Sequence, residues 1–339
     1  MFPERTDIRL ALPSKGRLAE DALTFLDEAG LRVYKPNPRQ FEATIPSLPG
    51  LTVLFQRAGD IAVSVRDGSV DFGLTGWDAV CERSSGNGDL LPLHRALGFG
   101  YCTLNAIVPQ SWEVVHTMSD LKAKSAEFDR PLRVATKYPI LTTEFFERHG
   151  LNDVRLIDAE GTLEAAPIIG YADLIADLVS TGTTLRDNQL RTLNDGLILE
   201  SQACLVANRR SLKARPHVLA MARLLLEFIE AHLRAAATVS IFANLRGESP
   251  AAIASRMFEQ SVIGGLQGPT ISPIITREGG DWHGVHIIVR RDQLTQAIAE
   301  LRAVGGSGVV VTPVTYIFEE EPAAYRAMLA ALEDRPAGG

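Results

Sequence analysis

ADLIADLVSTGTTL, residues 172–185, is the stretch of this chain that says most about its fold. The first half has the apolar composition of a buried strand and carries two aspartates, Asp173 and Asp177. The second half is a group of small hydroxyl residues around Gly182, and we predict a helix from Leu185 onward. A strand that enters a helix through a short loop is the repeating unit of α/β proteins, so this stretch predicts that class.

The alternation of short apolar runs with amphipathic stretches extends over residues 8–208. Residues 8–12 are predicted to form a strand, and residues 18–29 have the apolar period of a helix that ends at Gly30. The further predicted strands are 70–74, 105–108, 133–135, 172–179 and 203–206. Strands that alternate with helices in this way predict a largely parallel sheet covered by helices.

The pattern changes after a long amphipathic helix predicted at 217–234. The following segments are strand 236–245, helix 251–260, a Gly- and Pro-rich stretch 264–273, strand 285–289, helix 293–304 and strand 308–314. This order is close to the βαββαβ order of ferredoxin-like domains. We therefore place a domain boundary near residue 222. The sequence shows no internal repeat, and its only biased segment is the tail 335–339.

The composition is typical of a soluble globular protein, with 46% apolar and 22% charged residues among 339. A net charge of −7 argues against a nucleic-acid-binding face, although a local pocket can still bind anions. No apolar run reaches the roughly 18–20 residues of a membrane span, and the polar N-terminus does not resemble a secretory signal. Three widely spaced cysteines predict neither a disulfide framework nor a zinc ribbon, so we expect a cytoplasmic protein without nucleic-acid or membrane partners.

The loop after the strand at 172–179 has the chemistry of a phosphate site. Gly182 lets the backbone approach a ligand closely, and side-chain hydroxyls add hydrogen-bond donors. The hydroxyl residues are Ser180, Thr181, Thr183 and Thr184. An aspartate on the preceding strand suits ribose hydroxyls, and the candidates are Asp177 and, less directly, Asp173. In the alternative interpretation Ser180 and Thr181 only cap a helix, but the aspartate-bearing strand favours a ligand site.

Six blocks of the chain, in the same order, resemble the ATP phosphoribosyltransferases. They are ALPSKGRL (11–18), DFGLTGWD (71–78), ATKYP (135–139), GTLEAAP (161–167), DLVSTGTTL (177–185) and GPTISP (268–273). The resemblance covers essentially residues 8–315, and six collinear matches are far more specific than any one of them. Trp77 stands where the family usually has leucine, and it either stacks on a nucleotide base or packs against the following helix.

The resemblance implies a two-lobed catalytic region with the type II fold of periplasmic binding proteins, followed by a ferredoxin-like domain of the ACT/PII type. Lobe I would comprise 1–104 and 190–222, lobe II 105–189, and the regulatory domain 223–339. The implied reaction joins N1 of ATP to C1 of phosphoribosyl pyrophosphate and releases pyrophosphate, as the first step of L-histidine biosynthesis. Mg²⁺ is the implied cofactor, carried mainly by the substrate pyrophosphate. No residue is assigned as a metal ligand or as a general acid or base.

The resemblance also places contacts to ATP and pyrophosphate on nine positions. They are Lys15, Gly16, Arg17, Arg57, Thr75, Gly76, Asp78, Lys137 and Glu164. Arginine and lysine are suited to phosphate oxygens, and cations at the start of a helix are unfavourable unless an anion binds there. Other interpretations stay open for five of these residues, and for Lys15 and Arg17 the alternative is a solvated basic start of the helix. Arg57 pairs with Asp60, Asp78 caps the following helix, or Glu164 is an ordinary first-turn acid.

The C-terminal segment resembles the histidine-sensing module of the long-form enzymes. The implied contacts to the inhibitor L-histidine are Leu266, Gly268, Thr270, Gly306 and Ser307. In the alternative interpretation these residues form two ordinary loops of a ferredoxin-like domain. The family forms hexamers built from dimers, so the resemblance implies a homo-oligomer.

Two functions from other classes compete with the transferase. One is a two-lobed solute-binding protein without catalysis, and the other is a regulatory protein that carries a sensor domain on an inactive lobe. The intact phosphoribosyl loop and the fused sensor favour a self-contained enzyme.

Overall fold

The computed structural model describes residues 6–37, 40–83, 89–158, 163–277 and 279–333, and these residues form two compact units. The first unit contains residues 6–27, 32–222 and 327–333, and the second contains residues 28–31 and 223–326. The prediction assigned all of 223–339 to the regulatory domain, whereas residues 327–333 belong to the first unit. The tail 335–339 lies outside the described residues.

Among the described residues, the first unit contains eleven strands and seven helices, the first of which ends with a single residue, Glu28, in the second unit. Two more helices have longer segments in both units. The strands are β1 (Ile8–Pro13), β2 (Glu42–Thr44), β3 (Leu51–Gln56), β4 (Phe72–Gly76), β5 (Leu90–His94), β6 (Cys102–Pro109), β7 (Leu132–Thr136), β8 (Val154–Asp158), β9 (Leu174–Val179), β10 (Leu190–Ser201) and β11 (Ala203–Asn208). The helices are α1 (Arg17–Glu28), α2 (Ala58–Arg66), α3 (Trp77–Arg83), α4 (Met118–Ser125), α5 (Pro139–Arg148), α6 (Thr183–Asp187) and α7 (Arg209–Ala214). The two shared helices are α8 (Pro216–Ala236) and, at the C-terminal end of the described chain, α11 (Ala323–Glu333).

The first unit is built from two lobes, each with its own mixed sheet. In lobe I the strand order is β2-β3-β1-β4-β11-β5, with β1 parallel to β3 and β4. In lobe II the order is β10-β6-β9-β7-β8, with β7 parallel to β8 and β9. The strands β11 and β6 run antiparallel to their neighbours in these sheets. The predicted two-lobed α/β fold is confirmed.

The predicted limits of lobe II, 105–189, are too narrow at both ends. The strand β6 begins at Cys102, and β10 pairs with β6 rather than with a strand of lobe I. Residues 190–201, which were predicted in lobe I, therefore belong to lobe II. The chain returns to lobe I at Gln202, because β11 pairs with β4 and β5.

Each lobe attaches the start of a central strand to its neighbour in the same way. Just before β4, the Asp71 amide donates to the Arg9 carbonyl (3.0 Å), and its carboxylate accepts from the Arg9 amide (2.9 Å). Just before β9, Asp173 makes the same two bonds to Arg133, each 2.9 Å long. The sequence shows no internal repeat, but the two lobes share this pair of hydrogen bonds between an aspartate and an arginine backbone.

The second unit has the predicted ferredoxin-like order. Its elements are β12 (Thr238–Arg246), α9 (Pro250–Phe258), β13 (Thr270–Pro273), β14 (Trp282–Arg290), α10 (Leu294–Ala303) and β15 (Ser307–Pro313). The sheet is antiparallel, with strand order β13-β14-β12-β15. Alternate residues of β12 and β14, such as Ile241 and Ile287, are buried with Ile253 and Leu301 of the helices. None of the helices in the described parts of the chain is long and apolar enough to cross a bilayer.

The Asp71 carboxylate is fully buried and also accepts a hydrogen bond from Arg215 Nη1 at 2.8 Å. We expect Arg215→Met to lower the free energy of unfolding by about 3–5 kcal/mol, because it removes the guanidinium from a buried carboxylate. Denaturant unfolding measures this loss. The control is Arg66→Met, which removes the exposed pair with Asp67 and is expected to cost at most about 1 kcal/mol. Equal losses in both variants would contradict the prediction.

Candidate active site

A cleft of about 780 Å³ lies between the two lobes of the first unit. Lobe I contributes Lys15, Arg17, Leu18, Arg57, Ala58, Gly59, Gly76, Asp78, Ala79, Glu82 and Arg83. The chain between the lobes and lobe II contribute Gly100, Tyr101, Cys102, Lys137, Tyr138, Asp158, Leu178 and Ser180. Seven of the residues predicted for the site line this cleft, and they come from both lobes. They are Lys15, Arg17, Arg57, Gly76, Asp78, Lys137 and Ser180.

The cleft is rich in cations although the whole chain is acidic. Lys15 and Arg17 follow β1, where the turn at Gly16 has a positive φ of 78° and open space within 4 Å of where a Cβ atom would lie. Arg57 precedes α2, and Lys137 projects from the other lobe, after β7. Such a group of cations can neutralise the oxygens of a triphosphate or pyrophosphate.

The hydroxyl-rich loop follows β9 directly, as predicted, but the helix after it is different. The helix α6 begins at Thr183, two residues before the predicted start, and contains only five residues. Its N-cap is Gly182, with φ of 71° and no side-chain cap, so neither Ser180 nor Thr181 caps the helix. The hydroxyls of the loop are exposed, and that of Thr181 donates to Thr183 Oγ1 (3.2 Å). Loop hydroxyls and amides, rather than the dipole of a long helix, are the groups available to a phosphate.

Asp177 lies near the carboxyl end of β9, next to the loop. Burial raises the pKa of its carboxyl to about 6, and the charge of Glu164 adds to this shift. The Leu178 amide, 2.8 Å away, and Lys137 act in the opposite direction on the pKa. Three predicted residues, Asp177, Glu164 and Lys137, are therefore within electrostatic reach of one another.

Asp173 does not lie in the cleft, and its predicted contact with ribose is corrected. It precedes β9, at the end of the strand opposite the loop. Its carboxylate binds Arg130 (2.6 and 2.8 Å) and Arg133 (2.9 Å), which hold the pKa of this carboxyl well below its usual range. Asp173 therefore stabilises lobe II and is not available to a substrate at the loop.

Asp78 connects the two lobes. Its carboxylate is 6% exposed and accepts hydrogen bonds from Ser201 Oγ (2.6 Å) and from Tyr138 Oη (2.8 Å). Burial, followed by the charge of Asp78, raises the pKa of Tyr138 far above its usual value, so this phenol stays protonated and donates. Because both carboxylate oxygens accept hydrogen bonds within the protein, Asp78 has a structural role in the cleft wall.

The three residues before Asp78 also have structural roles. Thr75 is fully buried, and its hydroxyl donates to the Ala58 carbonyl at 2.8 Å, so it is not available to ATP. Gly76 has no space for a side chain, because a Cβ atom would lie 2.2 Å from Asp78 Oδ1. Trp77 packs partly into the lobe I core, with the Arg95 guanidinium 4.9 Å from its ring centre. Packing is thus the better of the two interpretations of Trp77.

Several residues of the cleft were not predicted from the sequence. Glu82 and Arg83 are one helical turn beyond Asp78 on α3, so the helical period offered a signal for them. Asp158 is the last residue of β8, which is parallel to β7, and it lines the cleft. Tyr101 is 63% exposed in the chain between the lobes, and no pattern in the sequence indicates it. The first two positions of the GTLEAAP block, Gly161 and Thr162, lie outside the described residues.

Nothing in the described residues forms a group of three or more potential metal ligands from His, Cys, Asp and Glu. The lobe II carboxylates at or near the cleft include Asp158, Asp177 and Glu164. This donor set fits Mg²⁺, which keeps several waters and binds through one or two carboxylates together with substrate phosphates. The thiol of Cys102 is not a nucleophile at neutral pH, because burial and the charge of Asp78 raise its pKa to about 11.

The residues predicted to bind histidine are all in the second unit, but they are in two separate places. Leu266, Gly268 and Thr270 lead into β13, whereas Gly306 and Ser307 lead into β15. These strands are the two edges of the sheet, separated by β14 and β12. Three strand spacings are about 14 Å, so one unit does not bring both turns to a single amino-acid ligand.

Two family models match the chain. The model described as ATP phosphoribosyltransferase matches residues 57–230. The chain belongs to the ATP phosphoribosyltransferase family. It has the long form of this family, because the model of the C-terminal domain of HisG matches residues 235–316. Family membership favours the enzyme over the solute-binding and regulatory alternatives.

Individual relatives agree with this assignment. ATP phosphoribosyltransferase 2, chloroplastic, from Arabidopsis thaliana is 44% identical over 336 residues, which are 97% of this chain and 81% of that protein. ATP phosphoribosyltransferase from Brucella suis is 44% identical over 214 residues, which are 61% of this chain and 93% of that protein. A solved ATP phosphoribosyl transferase (HisG:HisZ) complex from Thermotoga maritima matches with 26% identity and a TM-score of 0.51, over 66% of this chain and 98% of that chain.

Asp177→Asn provides a test of the buried carboxyl. Because the pKa of Asp177 is raised in the folded state, its contribution to stability is present below pH 4 and is lost as pH rises through 6. The stability of the variant relative to wild type should therefore increase by up to about 3 kcal/mol between pH 4 and pH 7. Thermal or denaturant unfolding at the two pH values measures this difference. A stability difference that is independent of pH would contradict the assignment.

Proposed function

We propose that this chain transfers the phosphoribosyl group of phosphoribosyl pyrophosphate to N1 of ATP and releases pyrophosphate, in the first step of L-histidine biosynthesis. The observation that carries the proposal is the cleft, in which cations from both lobes face a hydroxyl-rich loop that follows Asp177. Family membership supports the same reaction.

The loop and Asp177 suit the phosphoribosyl donor. The hydroxyls and amides of residues 180–184 would bind the 5′-phosphate. Asp177, three residues before this loop on β9, would accept hydrogen bonds from the ribose hydroxyls. The lone pair of adenine N1 forms the new bond to ribose C1 while the bond from C1 to the pyrophosphate oxygen breaks. The positive charge that develops on the ribose ring is favoured by a nearby carboxylate.

The cations suit the phosphate groups of both substrates. Lys15, Arg17 and Arg57 of lobe I and Lys137 of lobe II would bind oxygens of the triphosphate and of the leaving pyrophosphate. Glu164 lies close enough for its charge to act on Asp177, and we include it in the lobe II part of the substrate site. Mg²⁺, held by substrate phosphates and carboxylates such as Asp158, would neutralise part of the charge on pyrophosphate. No side chain is assigned as a general acid or base, because alignment and leaving-group stabilisation are the main requirements of this reaction.

Tyr101 suits the adenine base. A purine stacks on aromatic rings, and the Tyr101 ring is exposed in the cleft. Tyr138 is committed to Asp78, and Trp77 is packed with Arg95. We therefore assign the base to Tyr101.

Gly182→Ala tests the phosphate loop. The left-handed backbone at Gly182 makes alanine unfavourable by about 1–2 kcal/mol, so the loop should change conformation. We expect kcat/KM for phosphoribosyl pyrophosphate to fall at least about tenfold, with ATP affinity nearly unchanged. The assay is the absorbance change of ATP with phosphoribosyl pyrophosphate, Mg²⁺ and pyrophosphatase.

The matched control is Gly170→Ala, also in lobe II. Gly170 has a φ of 72° and no atom within 4 Å of an added Cβ, so the backbone strain is the same. The control should keep wild-type kinetics. A folded Gly182→Ala protein with wild-type kinetics would exclude the loop from the site, and an inactive wild type would exclude the reaction itself.

Histidine inhibition is the function proposed for the second unit. The turns before β13 and β15 carry the residues of the expected site, and they lie on opposite edges of the sheet. A pocket containing both turns would therefore form between two copies of the unit, edge to edge. This requirement supports a homo-oligomer, which the family resemblance implies as a hexamer built from dimers. The cytoplasmic location stays a prediction of the composition.

Complementation tests a site shared by two copies. Thr270→Val in one turn and Ser307→Ala in the other should each raise the histidine concentration for half-inhibition at least about tenfold. When the two variants are dissociated and reassembled together, mixed pairs contain one intact site and should regain part of the sensitivity. The control is Thr312→Val, at the other end of β15, with wild-type inhibition. Mixed oligomers as insensitive as each parent would contradict a shared site.

A further inference from the structure

One face of α3 carries two carboxylates that both reach from lobe I to lobe II. Asp78 and Glu82 are four residues apart, and so they lie on the same side of the helix. Asp78 binds the side chain of Tyr138, and Glu82 binds the backbone amides two and three residues after Tyr138. Glu82 Oε1 accepts from the Ile140 amide (2.9 Å), and Oε2 accepts from the Leu141 amide (3.0 Å). Glu82 is only 2% exposed.

These bonds satisfy the start of α5, which lacks a cap in its own lobe. The N-cap residue, Tyr138, makes no side-chain cap bond, and Pro139 follows it at the first helical position. The first amides of a helix have no partner within the helix, and an anion is favoured there by the partial positive charge. In α5 a carboxylate of the opposite lobe takes this position.

The contact fixes the position of a cleft cation. Lys137 is separated from the capped turn only by Tyr138, whose amide donates to Thr136 Oγ1 (3.0 Å) and whose hydroxyl donates to Asp78. The chain around Lys137 is thus held on both sides, and α3 supplies two of the three contacts. Lys137 lines the cleft opposite the lobe I cations Lys15 and Arg17.

We propose that Glu82 is a positioning residue, which sets the place of Lys137 relative to the cations of lobe I by capping α5 across the cleft. The inference rests on the proposed function, because its consequence is the alignment of two substrates held by different lobes. Each substrate still meets the groups of its own lobe when Glu82 is changed. Loss of the cap should therefore lower kcat more than it raises either KM, since misplacement of about 1 Å costs up to about 100-fold in rate.

The first experiment compares Glu82→Gln with a matched control, Asp120→Asn. Asp120 also accepts from two backbone amides, those of His116 (3.0 Å) and Thr117 (2.9 Å), but within lobe II and at the start of α4. We expect Glu82→Gln to lower kcat at least about tenfold, with each KM within about threefold of wild type. Asp120→Asn should keep the wild-type kcat. Wild-type kcat in Glu82→Gln, or the same loss in both variants, would overturn the proposal.

A double-mutant cycle tests whether Glu82 acts through Lys137. In a Lys137→Ala background, Glu82→Gln should lower kcat by less than about twofold, because the cation that it positions is already absent. Additive losses would overturn the proposal. Glu82→Asp, which keeps the charge but is shorter by one methylene, serves as a second variant if Glu82→Gln does not fold, and it should lose kcat in the same way.

Hydrogen exchange gives a readout that does not need turnover. The amides of Ile140 and Leu141 should exchange at least about tenfold faster in Glu82→Gln than in wild type, and unchanged rates would overturn the cap. Exchange at the α4 start should stay as in wild type. If the wild-type protein shows no phosphoribosyl transfer but Glu82→Gln shows this local exchange, the proposed reaction fails while the contact between the lobes stands.

Discussion

Four carboxylates, three of them buried, accept hydrogen bonds from backbone amides and stabilise the lobes, the contact between them and the second unit. Asp71 and Asp173 each accept from the amide of the second residue of a neighbouring strand, one in each lobe. Glu82 accepts from the first amides of a helix in the opposite lobe, and Glu300 accepts from the amides of Val262 and Ile263 in the second unit. These amides lie near the start of a strand, in the first turn of a helix or in a turn between elements, and a charged acceptor is favoured there.

Two of these carboxylates, Asp71 and Asp173, lie at the ends of strands β4 and β9 that are remote from the cleft. Because Asp71 and Asp173 hold the starts of β4 and β9, the other ends of these strands reach the space between the lobes. Gly76 ends β4, and Ser180 follows β9, and both line the cleft. The local surplus of cations therefore comes from the ends of elements, which explains how an acidic chain presents a site for polyphosphates.

The sequence predicted the elements well and the roles of individual residues less well. A continuous apolar run was enough to predict β9, in which the consecutive residues Leu174, Ile175 and Ala176 are buried. The period of the apolar residues was enough to predict the ferredoxin-like order, because its strands and helices bury one face. Asp173 and Asp177 look alike in sequence, but four strand residues separate them by about 13 Å, so only Asp177 lies near the loop. Glu82 was missed because its partners, the amides of Ile140 and Leu141, are contributed by another lobe. No local pattern contains that information.

The path of the chain between the lobes has a consequence for synthesis. The strand β11 lies between β4 and β5 in lobe I, yet it follows all of lobe II in the sequence. Lobe I therefore stays incomplete, with one edge of β4 unpaired, while roughly 130 further residues are made, which takes on the order of ten seconds at about 5–20 residues per second. Lobe II, whose strands are continuous from β6 to β10, can fold during that interval. The second lobe in the sequence is thus the first that a ribosome can finish.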